Sequence, residues 1–168
     1  TLLRTVNSDK NPLVYRFKQT IGWFVFKRVI QNSTAIITDA EFTKNELGAF
    51  SKASIGTTTA IHLAAEQSHG PVRPYTLPFK RYIMYVGQQS DYKNIPRLAA
   101  AHQKLLDTHP DLGLVLVGKK NAGIRRNEEL SAQKGYKNIH FTDFVAADQL
   151  AWLYQHTDCS VFPSLMEA

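Results

Sequence analysis

The sequence predicts an α/β protein built on a Rossmann-like, open parallel sheet with flanking helices. Strand and helix signals alternate from Tyr82 onward. The run Leu114-Val115-Leu116-Val117 is apolar on both faces, as a parallel strand covered by helices on both sides must be. The 168 residues, 43% hydrophobic and 20% charged, suit one large or two small lobes whose core needs no covalent staples. That composition excludes a disordered or collagen-like chain.

Asn11-Pro12 is a helix-start pair, and Leu13, Phe17, Ile21, Phe24 and Val29 follow at helical spacing, so a first helix is expected to about Gln31. Val14, Trp23, Phe26 and Ile30 make its second flank apolar too, with Arg16, Lys18, Lys27 and Arg28 between them. A basic, aromatic helix of this kind can lie on an anionic membrane. The two-sided apolar pattern favours burial between two layers of a domain. Ala35 to Thr38 reads as a short buried strand, and Asp39 caps a helix through Glu41, Phe42 and Leu47 that should stop at Gly48. Thr57 to Leu63 reads as a strand. Gln67 to Pro78, with Gly70, Pro71, Pro74 and Pro78, reads as a linker or surface connection.

Beyond it, strand Tyr82–Val86, helix Asn94–Leu106 and strand Leu114–Val117 form a βαβ unit, the helix turning Ile95, Leu98, Ala99, His102, Leu105 and Leu106 to one side. A polar helix around Arg125 to Lys134, strand Asn138–Phe141, helix Ala147–Gln155 and strand Cys159–Phe162 continue the alternation.

Charge and cysteine content narrow the setting. Twenty Lys and Arg against 14 Asp and Glu give +6, which favours anionic partners: phosphates, nucleic acid or an acidic membrane face. Cys159 has no second cysteine to pair with, and no apolar run approaches the ~20 residues of a membrane span, so a reducing, cytoplasmic setting is the default expectation. No targeting segment is visible, and both ends look cut, the second within a strand-to-helix turn, so the chain is read as a piece of something longer.

In an open parallel sheet ligands collect beyond the carboxyl ends of the strands. Here those ends are Gly87, Gly118, the turn Thr142-Asp143-Phe144-Val145, and Pro163-Ser164. Neither a G-x-G-x-x-G nor a P-loop occurs there, the central strands end in Gly rather than a phosphorylatable Asp, and the six His lack metal-ligand spacing. What remains is Gly87 with Lys93 six residues later. A strand-ending Gly lets a bulky ligand approach the backbone, and a Lys just before a helix can set its ammonium against a phosphate.

The order of segments then becomes informative. Tyr85-Val86-Gly87 with Lys93-Asn94, Leu114 to Gly118, Asn138 to Phe141 leading to Phe144-Val145, Leu150 to Tyr154, and Val161-Phe162-Pro163-Ser164-Leu165-Met166-Glu167 together resemble the group-1 (family 4) retaining glycosyltransferases of the GT-B fold. Ala35 to Lys44 is similar to the end of that family's N-terminal domain.

The resemblance implies a partial GT-B protein: residues 1–66 as the last part of the acceptor-side N-terminal domain, 67–80 as the interdomain connection, and 81–168 as an incomplete donor-binding domain. It implies transfer of a hexosyl group from a nucleotide diphosphate sugar to a glycan or lipid-linked acceptor with retention, in cell-wall or polysaccharide biosynthesis. It implies no metal cofactor, no nucleic-acid partner, and a cytoplasmic location that admits peripheral contact with the inner face of the membrane. Carried over by position, Gly87, Gln88, Lys93, Gly118 and Ser164 would bind the donor, with Phe144 and Val145 by the base, and Glu167 would be the catalytic-site carboxylate that meets the donor sugar.

The departures are specific. Gln88 stands where the family often has Arg, Ala168 where Gly is usual, and His62 where Pro is frequent; none of the six His matches the family's catalytic one. The chain by itself is therefore expected to be inactive. A sugar-nucleotide epimerase of the same architecture and a basic nucleic-acid-binding α/β module are the alternatives. Trp152, Tyr154 and His140 read as packing, packing and a surface or satisfied side chain.

Overall fold

The computed structural model describes residues 12–50, 55–64 and 70–165. They belong to two compact units divided between Glu66 and Gln67.

The first unit contains α1 (Pro12–Asn32), β1 (Ile36–Thr38), α2 (Glu41–Phe50), a 3-10 turn (Ile55–Thr57) and β2 (Thr58–Ala60). β1 and β2 are parallel, Ile36 opposite Thr58 and Thr38 opposite Ala60, so β1-α2-β2 is a crossover unit. At the start of α2 the Thr43 hydroxyl donates to the Asp39 carboxylate at 3.0 Å. Gly48, expected to stop this helix, lies buried inside it; tertiary burial overrides a propensity penalty of about 1 kcal/mol. The expected strand from Thr57 to Leu63 shrinks to the three residues that face β1.

α1 spans the expected residues, but its burial differs from the expectation. Trp23 and Phe26 meet the Phe50 ring edge-on at 6.3 and 6.0 Å, and Ile30 is buried. Leu13, Phe17 and Phe24 keep 74%, 68% and 64% of their surface exposed. Trp23 and Phe26 themselves stay 45% and 48% exposed, so among the described residues the helix is not buried between two layers. No described helix is long and apolar enough to cross a membrane.

The second unit holds β3 (Arg81–Val86), α3 (Ile95–Leu105), β4 (Leu112–Val117), α4 (Ala122–Gln133), β5 (Ile139–Phe141), α5 (Ala147–His156) and β6 (Cys159–Ser160). The sheet order is β5-β4-β3-β6 with every pair parallel, so the strand order reverses direction at β3, between β4 and β6. β3 and β4 pair from Arg81–Leu112 to Val86–Val117, and all six residues of β4 are buried.

Strand alternation sorts the core into two faces. Ile83, Tyr85, Leu114 and Leu116 pack with Ile95, Leu98 and Ala99 of α3. Tyr82, Met84, Val115 and Val117 pack with Val145 and Leu153, with Tyr75 and Leu77 from the proline-rich segment, and with Phe79 just after it. Arg73 pairs with Asp148 at 2.9 Å and ties that segment to the start of α5. His102 is fully buried on α3. With its proton on Nε2 it donates to the Leu112 carbonyl at 3.1 Å and accepts from Gln103 on Nδ1, and burial pushes its pKa down.

Three packing expectations need correction. Leu105 is exposed because it lies past the edge of the face that meets the sheet. Tyr154 is exposed, whereas Trp152 packs on the core and stacks on His156 with centroids 4.1 Å apart. His140 is half-buried, edge-on to the Tyr75 ring, with a buried Nε2 that has no hydrogen-bond partner, and burial lowers its pKa.

The Tyr82 hydroxyl donates to the Leu153 carbonyl at 2.8 Å in the core. Burial raises its pKa from 10.0 to about 12. The unfolded chain therefore ionises first, and the stabilisation present below pH 10 is lost as pH climbs toward about 12. Tyr82→Phe should lower the unfolding free energy at pH 7 by about 1–2 kcal/mol in urea titrations. It should also flatten the alkaline loss of stability; the same slope in both proteins would show that Tyr82 is not its source.

Candidate functional site

The site is built from what each strand does when it ends. β3 gives way to Gly87 at φ 145°, a conformation side chains rarely adopt, and a Cβ there would stand 3.0 Å from the Tyr85 hydroxyl. That hydroxyl donates to the Gln88 carbonyl at 2.7 Å and shapes the turn. The Gly87 N–H donates to Val117 at 3.0 Å, which carries the β3–β4 ladder one residue beyond the strands. On the facing chain, a Cβ at Gly118 would lie 2.6 Å from the Gly87 carbonyl oxygen. Two glycines thus let the loops leaving β3 and β4 touch backbone to backbone.

From Gly87 the chain crosses the end of β3 toward β6. Gln88 is exposed, while Gln89 is buried and its Oε1 accepts from Asn127 of α4 at 3.0 Å. A 3-10 turn over Asp91–Lys93 follows, with Arg126 of α4 paired to Asp91. Asn94 takes the left-handed conformation at φ 58° and opens α3. Its Nδ2 donates to the Pro163 carbonyl at 3.2 Å, and the Leu165 N–H donates to Tyr92 at 2.8 Å. The loop is therefore anchored beside the end of β6, and it spans the position where the strand order reverses, the usual ligand crevice of such sheets.

The loops after β4 and β5 form the facing wall. The Gly118 N–H donates to the Thr142 hydroxyl at 3.3 Å, and the Lys120 N–H to Asp143 Oδ1 at 3.0 Å. Asn121 caps α4 by accepting from the Ile124 N–H at 3.0 Å. Asp143 Oδ1 also accepts from the Phe144 N–H at 2.8 Å. These two N–H groups, and secondarily the Lys120 and Lys119 charges, hold the Asp143 carboxyl below its usual range.

Between these walls lies an open cleft of about 470 Å³, lined by Gly87, Gln88, Gly118, Phe144 and Val145, and by Lys119, Lys120 and Asp143. Phe144 is 75% exposed at its rim, and Val145 is buried at its base. Five of the expected site residues are thus brought together. Lys93 does not line the cleft; its ammonium stands 4.9 Å from the centroid of the Tyr92 ring, at the far end of the same loop. Ser164 lies beside that end, with a buried hydroxyl that has no hydrogen-bond partner. Glu167 lies outside the described residues.

The site also contains residues that sequence reasoning passed over. Lys119 and Lys120 follow the strand-ending Gly118 directly, which is the signal that pointed to Lys93 after Gly87. Asp143 carries no such signal, since its partner N–H is 23 residues away. Chemically, the cleft offers a flat exposed ring, backbone edges and two lysines, of which Lys120 has its ammonium 3.8 Å from Glu128; these suit a planar, anionic ligand better than a neutral apolar one.

An open parallel sheet flanked by helices, with a cleft at its carboxyl end, defines a Rossmann-like α/β domain. The chain belongs to the group 1 glycosyltransferases, for the model of the family Glycosyl transferases group 1 matches residues 77–168, more than half of its length. No curated protein matches it. Among solved structures, Anabaena HepE in complex with UDP and glucose is similar at a TM-score of 0.62 with 13% identity, over 92% of this chain and 44% of that one. TarM is similar at 0.58 with 8% identity, over 79% of this chain and 25% of that one. The GtfA/B complex is similar at 0.51 with 16% identity, over 82% of this chain and 27% of that one. At these identities the likeness is one of fold, that of the GT-B glycosyltransferases. The chain spans less than half the length of each of these three structures.

Gly118→Ala should force the Gly87 backbone away and cost about 1–3 kcal/mol, read as a lower Tm. Gly70→Ala, with nothing within 4 Å of the added Cβ, should stay within about 0.5 kcal/mol of the parent. Equal effects of the two substitutions would mean that the loops do not depend on the close approach.

Proposed function

We propose that the second unit is the donor-binding part of a retaining glycosyltransferase that transfers a hexosyl group from a nucleotide diphosphate sugar to a glycan or lipid-linked acceptor. The observation that carries this reading is the cleft at the carboxyl ends of β3, β4 and β5, where Gly87, Gly118, Lys119, Lys120 and Phe144 converge. Family membership supports transferase chemistry, and the UDP and glucose bound to Anabaena HepE, a protein of similar fold, support a nucleotide sugar as the donor.

In this reading the nucleoside lies in the cleft against Phe144 and Val145. The diphosphate follows the Gly87–Asn94 loop toward the strand-order reversal, where Lys93 and Ser164 await it. Negative charge grows on the diphosphate as the glycosyl bond breaks. Cationic side chains fixed in advance stabilise that charge without reorganisation, and no metal is needed for this role. Gln88 leaves one familiar cationic position neutral, and Lys119 and Lys120 supply charge from the opposite wall. Glu167 meets the donor sugar. Residues 1–66 belong to the acceptor-side domain, with 67–80 as the connection.

Calorimetric titration with UDP, GDP and their sugars should show binding that weakens with added salt. Lys93→Ala in the full-length enzyme should lower turnover on the order of 10²-fold with little change in Tm. An unchanged kcat/KM would remove Lys93 from the mechanism.

Peripheral membrane contact has one supporting observation. α1 holds Arg16, Lys18, Lys27 and Arg28, has no acidic residue, and exposes Leu13, Phe17, Ile21 and Phe24 along one side. Such a surface suits an anionic bilayer. The full-length protein should float with phosphatidylglycerol vesicles and not with phosphatidylcholine ones, and Lys27→Glu with Arg28→Glu should release it. Flotation that is indifferent to these charges would rule the contact out.

A further inference from the structure

We propose that Asp143 is a positioning residue for the nucleotide: its carboxylate clasps the loop after β4 to the loop after β5 and so holds Lys119 and Lys120 at the cleft. The proposal rests on the reading of this cleft as a nucleotide site.

The geometry is a ladder continued by side chains. β4 and β5 pair through Leu116 and Phe141, and the Thr142 N–H adds a last backbone bond to Leu116 at 3.1 Å. Beyond that the two chains no longer pair backbone to backbone, and side chains span them instead. Thr142 Oγ1 accepts from the Gly118 N–H, and two residues further along the Lys120 N–H reaches Asp143 Oδ1. The Thr142 bond is long, 3.3 Å, so the Asp143 bond at 3.0 Å is the shorter of the two stitches. A charged acceptor makes it the stronger one as well.

Lys119 lies between the two pinned residues, so the clasp sets its backbone along with that of Lys120. The same carboxylate sets a negative charge near Lys119 and Lys120, whose charges in turn help to hold its pKa down. Its second contact, the Phe144 N–H at 2.8 Å, fixes the backbone of the residue whose ring is exposed at the rim. Asp143 is exposed and contributes nothing to the core, so the clasp bears on the shape of the cleft. Its low pKa keeps it ionised well below neutrality, so the clasp does not titrate under ordinary conditions.

Both donors meet one oxygen, Oδ1, and this makes the proposal testable by a conservative change. In Asp143→Asn the amide oxygen can accept both N–H groups without the charge; in Asp143→Ala nothing can. Amide hydrogen exchange at Lys120 and Phe144 in the ligand-free chain reads the clasp directly, and titration with UDP and GDP reads its consequence. Asp143→Ala should speed exchange at both amides and weaken nucleotide binding about tenfold, with Tm unchanged. Asp143→Asn should restore both readouts to within about threefold of the parent. Parent-like exchange in Asp143→Ala would overturn the clasp, and faster exchange with unaltered affinity would overturn the positioning role. Equal loss of affinity in both variants would show that the carboxylate contacts the ligand itself, which also overturns the proposal. A parent that binds neither nucleotide would refute the functional reading, while the exchange rates would still decide whether the clasp exists.

Discussion

Six consecutive residues of β4, Leu112–Val117, are buried on both faces, and β3 runs beside them in parallel from Arg81 to Val86. Because both strands are covered on two sides, neither can slip by one residue without turning its whole side-chain set onto the wrong helix layer. That register places Val86 opposite Val117, and so places Gly87 and Gly118 at the same level above the sheet. Their contact follows from the register: two chains leaving adjacent parallel strands at one height must either diverge or dispense with side chains. Here they dispense with them, and the cleft opens on their far side.

The loop after β3 belongs to two neighbourhoods at once. Its first residues meet the loop after β4, and its last ones, Tyr92 and Asn94, are hydrogen-bonded to Pro163 and Leu165 beyond β6. Gln89 and Asn127 pin its middle to α4, and Arg126 with Asp91 adds an ion pair at the surface. A ligand laid along this loop would touch parts of the chain separated by some 80 residues without requiring any of them to move far. Pre-set loops of this kind are what transition-state charge stabilisation needs, since donors that must reorganise during the reaction lose much of their effect.

Charge is distributed around the same geometry. Lys93 stands over Tyr92, Lys120 is 3.8 Å from Glu128, and Asp143 of the loop after β5 accepts from the Lys120 N–H of the loop after β4. Lys120 and Asp143 are exposed, so their pairings contribute little to folding. The effect of Lys120 and Asp143, which line the cleft, falls on its potential. In the first unit the basic residues of α1 lie among exposed apolar side chains instead, so that charge is displayed beside hydrophobic surface.

Much of this architecture is legible in the residues. Alternating segments from Tyr82 to Ser160, the doubly apolar β4, the strand-ending glycines and the Asn138 that leads β5 are local patterns, and local patterns encode backbone conformation directly. Boundaries inside the first unit were less legible: Gly48 reads as a stop signal yet is buried within α2, and the apolar flank of α1 reads as core yet is exposed. In both, the outcome depends on which neighbours cover the segment, and a single stretch of sequence does not contain its neighbours. The same limit applies to the cleft. By itself the sequence determined the order of elements and the strand ends at which a ligand can approach. Tertiary structure alone decided that Lys119, Lys120 and Asp143 share a wall with Phe144 while Lys93 stands at the far end of its loop, because distances between loops depend on strand register and backbone contact across residues far apart in the chain.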